Sequence, residues 1–176
     1  MKKLVVAMMV ALMATVNVCA QRVNRYDTGN VQRAEELMNE GKLEESLTYF
    51  EAELKENPKN AYAHFLVTTV YMELGKYDEA MASADKAIKY IPKSHKEIRG
   101  ITHALKATIH ETFQEWEQAV EQLTLCLKVL PKENYRDRAV AYKQRAQMYY
   151  KSGKHDLGDK DYAKYEELKE ETGLDF

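Results

Sequence analysis

Only two cysteines stand in the 176-residue sequence, and one of them, Cys19, lies in an N-terminal leader. The thiol that remains, Cys126, has no partner for an intramolecular disulfide, so the fold must be held by packing alone. Basic excess is missing as well: 26 Lys and Arg face 28 Asp and Glu, with no basic stripe. Nucleic acid is therefore a poor partner, because a phosphate backbone demands clustered Lys and Arg. No apolar run reaches the roughly 20 residues that cross a bilayer. Pro- or Gly-rich linkers and low-complexity segments are absent, which argues against a second domain. There is no glycine-rich phosphate loop.

Lys2 and Lys3 precede an uncharged apolar run at 4–16, followed by Val18-Cys19-Ala20. A basic start, a short apolar stretch and a small-residue ending are the parts of a secretory signal peptide. Residues 1–20 are read as a leader cut between Ala20 and Gln21, and 21–176 as an exported chain expected in the periplasm. Cys19 opens the alternative of a lipid anchor in the envelope, and secretion is a third outcome. Val18 argues against the anchor, since it is bulky where lipoprotein signals carry Gly, Ala or Ser. Loss of Lys2 and Lys3 takes the basic count from 26 to 24 against 28 acidic residues.

What is present is a repeat. Gly41 and Gly75 are 34 apart, as are Pro58 and Pro92, Ser46 and Ala80, and Leu54 and Ile88. Trp116, Ala119, Leu123 and Pro131 lie 39 beyond Tyr77, Ala80, Ala84 and Pro92, and Gly153 lies 39 beyond Gln114. Each copy reads helix, turn, second helix, with proline as the stop in the first three, and the glycines suit turns that need a left-handed backbone. The pattern predicts eight helices, at 24–40, 43–56, 61–74, 77–90, 95–113, 116–129, 135–152 and 155–171. The five residues added to the third and fourth copies are expected to lengthen their first helices, with Ser94 opening a capping box and Asn134 serving as an N-cap.

The period and the residues Val67, Tyr71, Gly75, Tyr77, Ala80, Ala87 and Pro92 of the second copy resemble the tetratricopeptide repeat family, as do Tyr142, Ala146, Tyr149 and Gly153 of the fourth. The resemblance implies an all-α, right-handed superhelical solenoid of antiparallel helix pairs, with about four repeats at 27–60, 61–94, 95–134 and 135–171 and a C-terminal capping helix. Departures are Asn30 and Arg33 in the first copy, Gln114 at a turn glycine, Arg145 where Leu is commoner, and Gly158 where Ala is usual. In the last helix Leu157, Tyr165 and Leu168 are expected to face the array, with Gly173 ending it and Leu174 folding back.

The candidate chemistry fails at named residues. His110-Glu111 resembles the start of a zinc-protease motif, but Gln114 stands where the second His is needed. His103 and His110 are about 10 Å apart along a helix, too far to share a metal, and His64 falls at a packing position. Cys126 is expected to be a buried, inert thiol. The run Glu166, Glu167, Glu170, Glu171 reads as a solvated helix face. Neither catalysis nor a metal or cofactor is expected.

A binding surface is expected instead. Residues spaced i, i+3, i+7 and i+10 share one helix face. By the resemblance that face of each first helix lines the concave side: Tyr62, Phe65, Thr69 and Met72; Ile101, Ala104, Thr108 and Glu111; Val140, Lys143, Gln147 and Tyr150. Thr28, Val31, Glu35 and Met38 continue the row. The site is expected at Tyr62, Phe65, Thr69, Met72, Ile101, Thr108, Glu111, Lys143, Gln147 and Tyr150, taking an extended peptide or a partner helix. The alternative occupant is a carbohydrate or small ligand on the same aromatic residues. The carboxylate clamp that some relatives use for chaperone tails is missing, since Val31, Glu35, Leu66, Ile101 and Leu105 occupy its positions.

Overall fold

The computed structural model describes residues 28–173, so the leader, the cut site, Cys19 and Leu174 lie outside the described residues. All the regular structure among them is helical: α1 (Gly29–Asn39), α2 (Leu43–Glu56), α3 (Ala61–Glu73), α4 (Tyr77–Tyr90), α5 (Lys96–Thr112), α6 (Trp116–Val129), α7 (Tyr135–Lys151) and α8 (His155–Thr172). They fall into two compact units, Met1–Ile91 with α1 to α4 and Pro92–Phe176 with α5 to α8.

Every pair turns the same way. Gly41, Gly75 and Gly153 carry φ of 74–75°, and the amide one residue later donates back into the helix: Lys42 to Leu37, Lys76 to Tyr71 and Lys154 to Tyr149, each 2.8 Å. This bond satisfies a carbonyl that the helix end would otherwise orphan. Gln114 makes the same turn at φ +61°, with Glu115 N–H donating to the His110 carbonyl at 2.9 Å.

In the first unit α1 packs on α2, burying Val31, Ala34 and Leu37 from one and Leu47 and Phe50 from the other. Each large apolar side chain so buried contributes about 1.5–3 kcal/mol, which is why Asn30 and Arg33 do not prevent α1 from forming. Helix α3 is buried at all ten positions from 61 to 70. Its sequence there holds no charge, and a helix that is apolar all round is stable only inside a protein. Beside it the Glu53 carboxylate, fully buried, accepts from Asn60 at 2.7 Å, from Asn57 at 3.0 Å and from the Thr28 hydroxyl. Thr28 also caps α1 by accepting from Val31 N–H at 3.3 Å, so it precedes the helix face to which the spacing assigned it.

In the second unit Leu123, Cys126 and Leu127 of α6, with Leu130 just after it, centre a cluster that takes Ala107 from α5 and Ala141 and Met148 from α7. Helix α8 closes the unit with Tyr165 and Leu168 against Ala139. Leu157, expected to face the array, is 42 % exposed; in that first turn of α8 the buried residue is its neighbour Gly158. Helices α5 and α7 are each 17 residues against 13 for α3. Four of the five added residues thus extend the helix, by about 6 Å, and the fifth goes into the linker. Asn134 caps α7, accepting from Asp137 N–H at 3.2 Å. Ser94 caps nothing: His95 is the N-cap of α5, with no side-chain bond to the first turn, because that fifth residue moved the boundary by one.

Candidate functional site

The first-helix residues divide by accessibility. Tyr62, Phe65, Thr69 and Met72 of α3 and Ile101 of α5 are buried, none more than 7 % exposed. Tyr62 stacks on Phe65 with ring centres 6.2 Å apart and donates its hydroxyl to Glu35 at 2.8 Å. The Thr69 hydroxyl is turned back on the Leu66 carbonyl at 2.7 Å. Thr108, Glu111, Lys143 and Tyr150 are half-buried and Gln147 is exposed.

In the second unit the geometry around these five is specific. Glu111 of α5 pairs with Lys151 of α7 at 2.6 Å, and the same ammonium lies 4.9 Å over the Trp116 ring. Lys143 lies 4.9 Å over the Tyr165 ring. The Tyr150 ring rests on Gly158, where a Cβ would come within 2.5 Å of it. Its hydroxyl donates to Asp159 at 2.9 Å, and that carboxylate pushes the phenol pKa up. Thr108 donates to the Ala104 carbonyl at 3.2 Å. Spacing alone passed over Gly158 and Asp159, although the missing Ala at position 158 was a signal. A second departure resolves in the same way: Arg145 grips Asp161 with two bonds of 2.6 and 2.8 Å and reaches Thr124 at 3.0 Å. Burial works against the guanidinium charge there, yet the Asp161 pairing leaves its pKa raised.

The residues weighed for catalysis have structural partners. His110 Nδ1 lies 2.6 Å from Glu115 Oε2, and His103 Nδ1 lies 2.9 Å from Gln122 Oε1. His64 is buried, with Nε2 3.0 Å from the Pro58 carbonyl. Burial pushes the Cys126 thiol up to about 12, which leaves almost no thiolate at neutral pH. Among the described residues no group of three or more His, Cys, Asp and Glu could hold a metal. No helix among them is long and apolar enough to cross a membrane.

Residues 37–109 match the tetratricopeptide repeat family. That stretch is a tetratricopeptide repeat segment. The likeness of fold runs further than the matched stretch. The MamA RS-1 ArsTM double mutant superposes with a TM-score of 0.71 at 16 % identity, over 83 % of this chain and 76 % of that one. MamA from residue 41 to the end, from Desulfovibrio magneticus RS-1, gives 0.68 at 15 % identity, over 81 % and 75 %. YrrB, a tetratricopeptide repeat protein with an unusual peptide-binding site, gives 0.53 at 14 % identity, over 85 % and 91 %. No curated protein sequence matches. The fold class is therefore the all-α helical-repeat solenoid.

Proposed function

We propose that this protein is a protein- or peptide-binding adaptor of the bacterial cell envelope, engaging its partner on the concave-side residues of the first helices. The observation that carries the reading is the match of 37–109 to an interaction repeat, joined to first-helix residues of the second unit that remain accessible. Gln147, Thr108 and the Glu111–Lys151 pair offer hydrogen-bonding groups of both kinds beside the half-buried Tyr150. That mixture suits a peptide backbone with one or two anchoring side chains. YrrB is a peptide-binding neighbour of the same fold. The leader at 1–20 supports the envelope, and the same reading takes Gln21 as the mature N-terminus.

The sugar-platform alternative is less well supported. The aromatic residues of that face are already engaged: Tyr62 and Phe65 are buried and stacked on each other, and the Tyr150 ring rests on Gly158; Trp116 is covered by Lys151 at 4.9 Å.

The test is site-specific photocrosslinking in living cells, with the reactive group at Gln147, at Thr108 or, on a second helix, at Glu121. A discrete adduct at the first two positions and none at Glu121 is expected. Adducts at all three, or at none, would sink the reading. Mass spectrometry of the mature chain tests its location: a start at Gln21 is expected, and a lipid on Cys19 would replace the free adaptor with a tethered one.

A further inference from the structure

The additions that lengthen the third and fourth repeats play no part in the peptide reading, and they build a pocket of their own. In the second unit an open cleft of about 560 Å³ is bordered by the linker ahead of α5, the start of α5, and the end of α6 with its following linker. Lys93, Lys96, Arg99, Lys128 and Lys132 line it, against a single carboxylate, Glu133. Five cations to one anion is a marked local concentration in a chain whose acidic residues outnumber its basic ones, 28 to 26.

Three features point inward. First, Lys93, Lys96, Lys128 and Lys132 make no ion pair among the described residues, whereas Lys42, Lys151, Lys154 and Lys164 each hold a carboxylate within 3.1 Å. Like charges gathered in excess over one carboxylate repel one another, and a bound anion relieves that repulsion. Second, α5 begins at this pocket with no side-chain cap, so its first-turn N–H groups and the positive end of its dipole add to the field. Third, the opposing negative end of α6 is already neutralised. Arg138 donates to the Leu127 and Leu130 carbonyls at 2.9 and 3.4 Å. The Leu130 side chain forms a fixed wall, seated where a Cβ on Gly100 would lie 2.6 Å from it.

We propose that this pocket binds a phosphate-type oxyanion carried by a small molecule or a lipid headgroup. Its volume is that of a small-ligand site, far below what a protein partner needs. Ammonium and guanidinium donors converging from three segments suit tetrahedral oxygens carrying more than one charge. The lysines are exposed, so the attraction is screened and weakens with ionic strength. The proposal does not depend on the peptide reading, because the residues are different and lie at the N-terminal end of α5.

The full mature chain, from Gln21, should be titrated calorimetrically with inorganic pyrophosphate at low salt and sedimented with phosphatidylglycerol or phosphatidylcholine vesicles. Saturable binding is expected, weakened by about tenfold in Lys96→Glu/Lys128→Glu, which loses two of the five cations. The control Lys55→Glu/Lys160→Glu makes the same charge change on exposed positions elsewhere and should shift affinity less than about twofold. Circular dichroism establishes that both variants are folded. Pyrophosphate binding without vesicle binding assigns a soluble phosphate compound, and retention on phosphatidylglycerol but not phosphatidylcholine assigns a headgroup. Neither pyrophosphate nor vesicle binding, or an equal loss in the control, would overturn the proposal.

Discussion

At the scale of single residues, the turns and the buried ring of His64 carry the sharpest expectations. Gln114 holds φ +61° at a turn where Gly41, Gly75 and Gly153 stand in the other three pairs. A side chain there costs about 1–2 kcal/mol in the left-handed region, while glycine gives back about 0.4–1 kcal/mol through the freedom of the unfolded chain. Gln114→Gly should therefore stabilise the protein by about 0.5–1 kcal/mol, read as a higher urea midpoint with unchanged slope; a lower midpoint would show that the amide side chain holds the turn by some other means. His64 sets a pH dependence. Burial pushes its imidazole below the ordinary 6.5, the nearby Lys86 charge adds to this, and only the Pro58 carbonyl opposes it. Nδ1 has no partner. The unfolded chain takes up the proton near pH 6.5 and the folded chain only at lower pH, so this contribution to stability is complete above 6.5 and fades as the pH falls below it. Unfolding free energies at about pH 7.5 and pH 5 should differ less in His64→Gln than in the native chain, and an unchanged difference would remove His64 as the cause.

At the scale of helices, the pair α7–α8 is fixed by a ring seated on a glycine. A methyl at Gly158 would meet Tyr150 at 2.5 Å, and the ring cannot swing away without losing its bond to Asp159. Overpacking of that kind costs about 1–3 kcal/mol, more than the roughly 1 kcal/mol that alanine gains over glycine inside a helix. Gly158→Ala should destabilise the native chain, yet stabilise a Tyr150→Ala background. The sign reversal, measured as a double-mutant cycle by thermal unfolding, checks the contact, and the same sign in both backgrounds would refute it. Seven of the eight helices begin within one residue of where the 34- and 39-residue periods put them, whereas α1, expected from 24, begins at Gly29, because Thr28 takes an extended backbone and caps it. Periodicity works so well here because glycine and proline punctuate each repeat. What stayed hidden depends on contacts distant in sequence. The cap moved from Ser94 to His95 because linker and helix shared five residues. Arg145 departs from the repeat because Asp161, sixteen residues on, reaches it. The accessibility of the first-helix row differs between α3 and α7, although the spacing is the same, since burial is set by what packs above each face. The cationic pocket was illegible for a related reason: its lysines are scattered from 93 to 132 and converge only once α5 and α6 are paired.

At the scale of the molecule, a chain cut after Ala20 has one cysteine and hence no covalent link between distant segments. Two compact units then owe their integrity to apolar packing and a few buried polar clusters, those around Glu53 in one and Arg145–Asp161 in the other. Cys126 reports directly on that packing in the second unit. It is 1 % exposed, sits within the α6 cluster, and burial pushes its thiol up to about 12. A disulfide reagent needs both access and thiolate, and the folded state supplies neither. Labelling of the mature chain at neutral pH must then pass through an opened state, so its rate should follow the fraction unfolded and rise about tenfold for each 1.4 kcal/mol removed by denaturant. A local fluctuation that bared the thiol would give a rate indifferent to low denaturant. Expected instead is a rate that climbs from the first increment of urea with the slope of global or second-unit unfolding. If native Cys126 reacts within minutes in the absence of denaturant, the α6 cluster is looser than its burial implies and packing alone does not hold this unit closed.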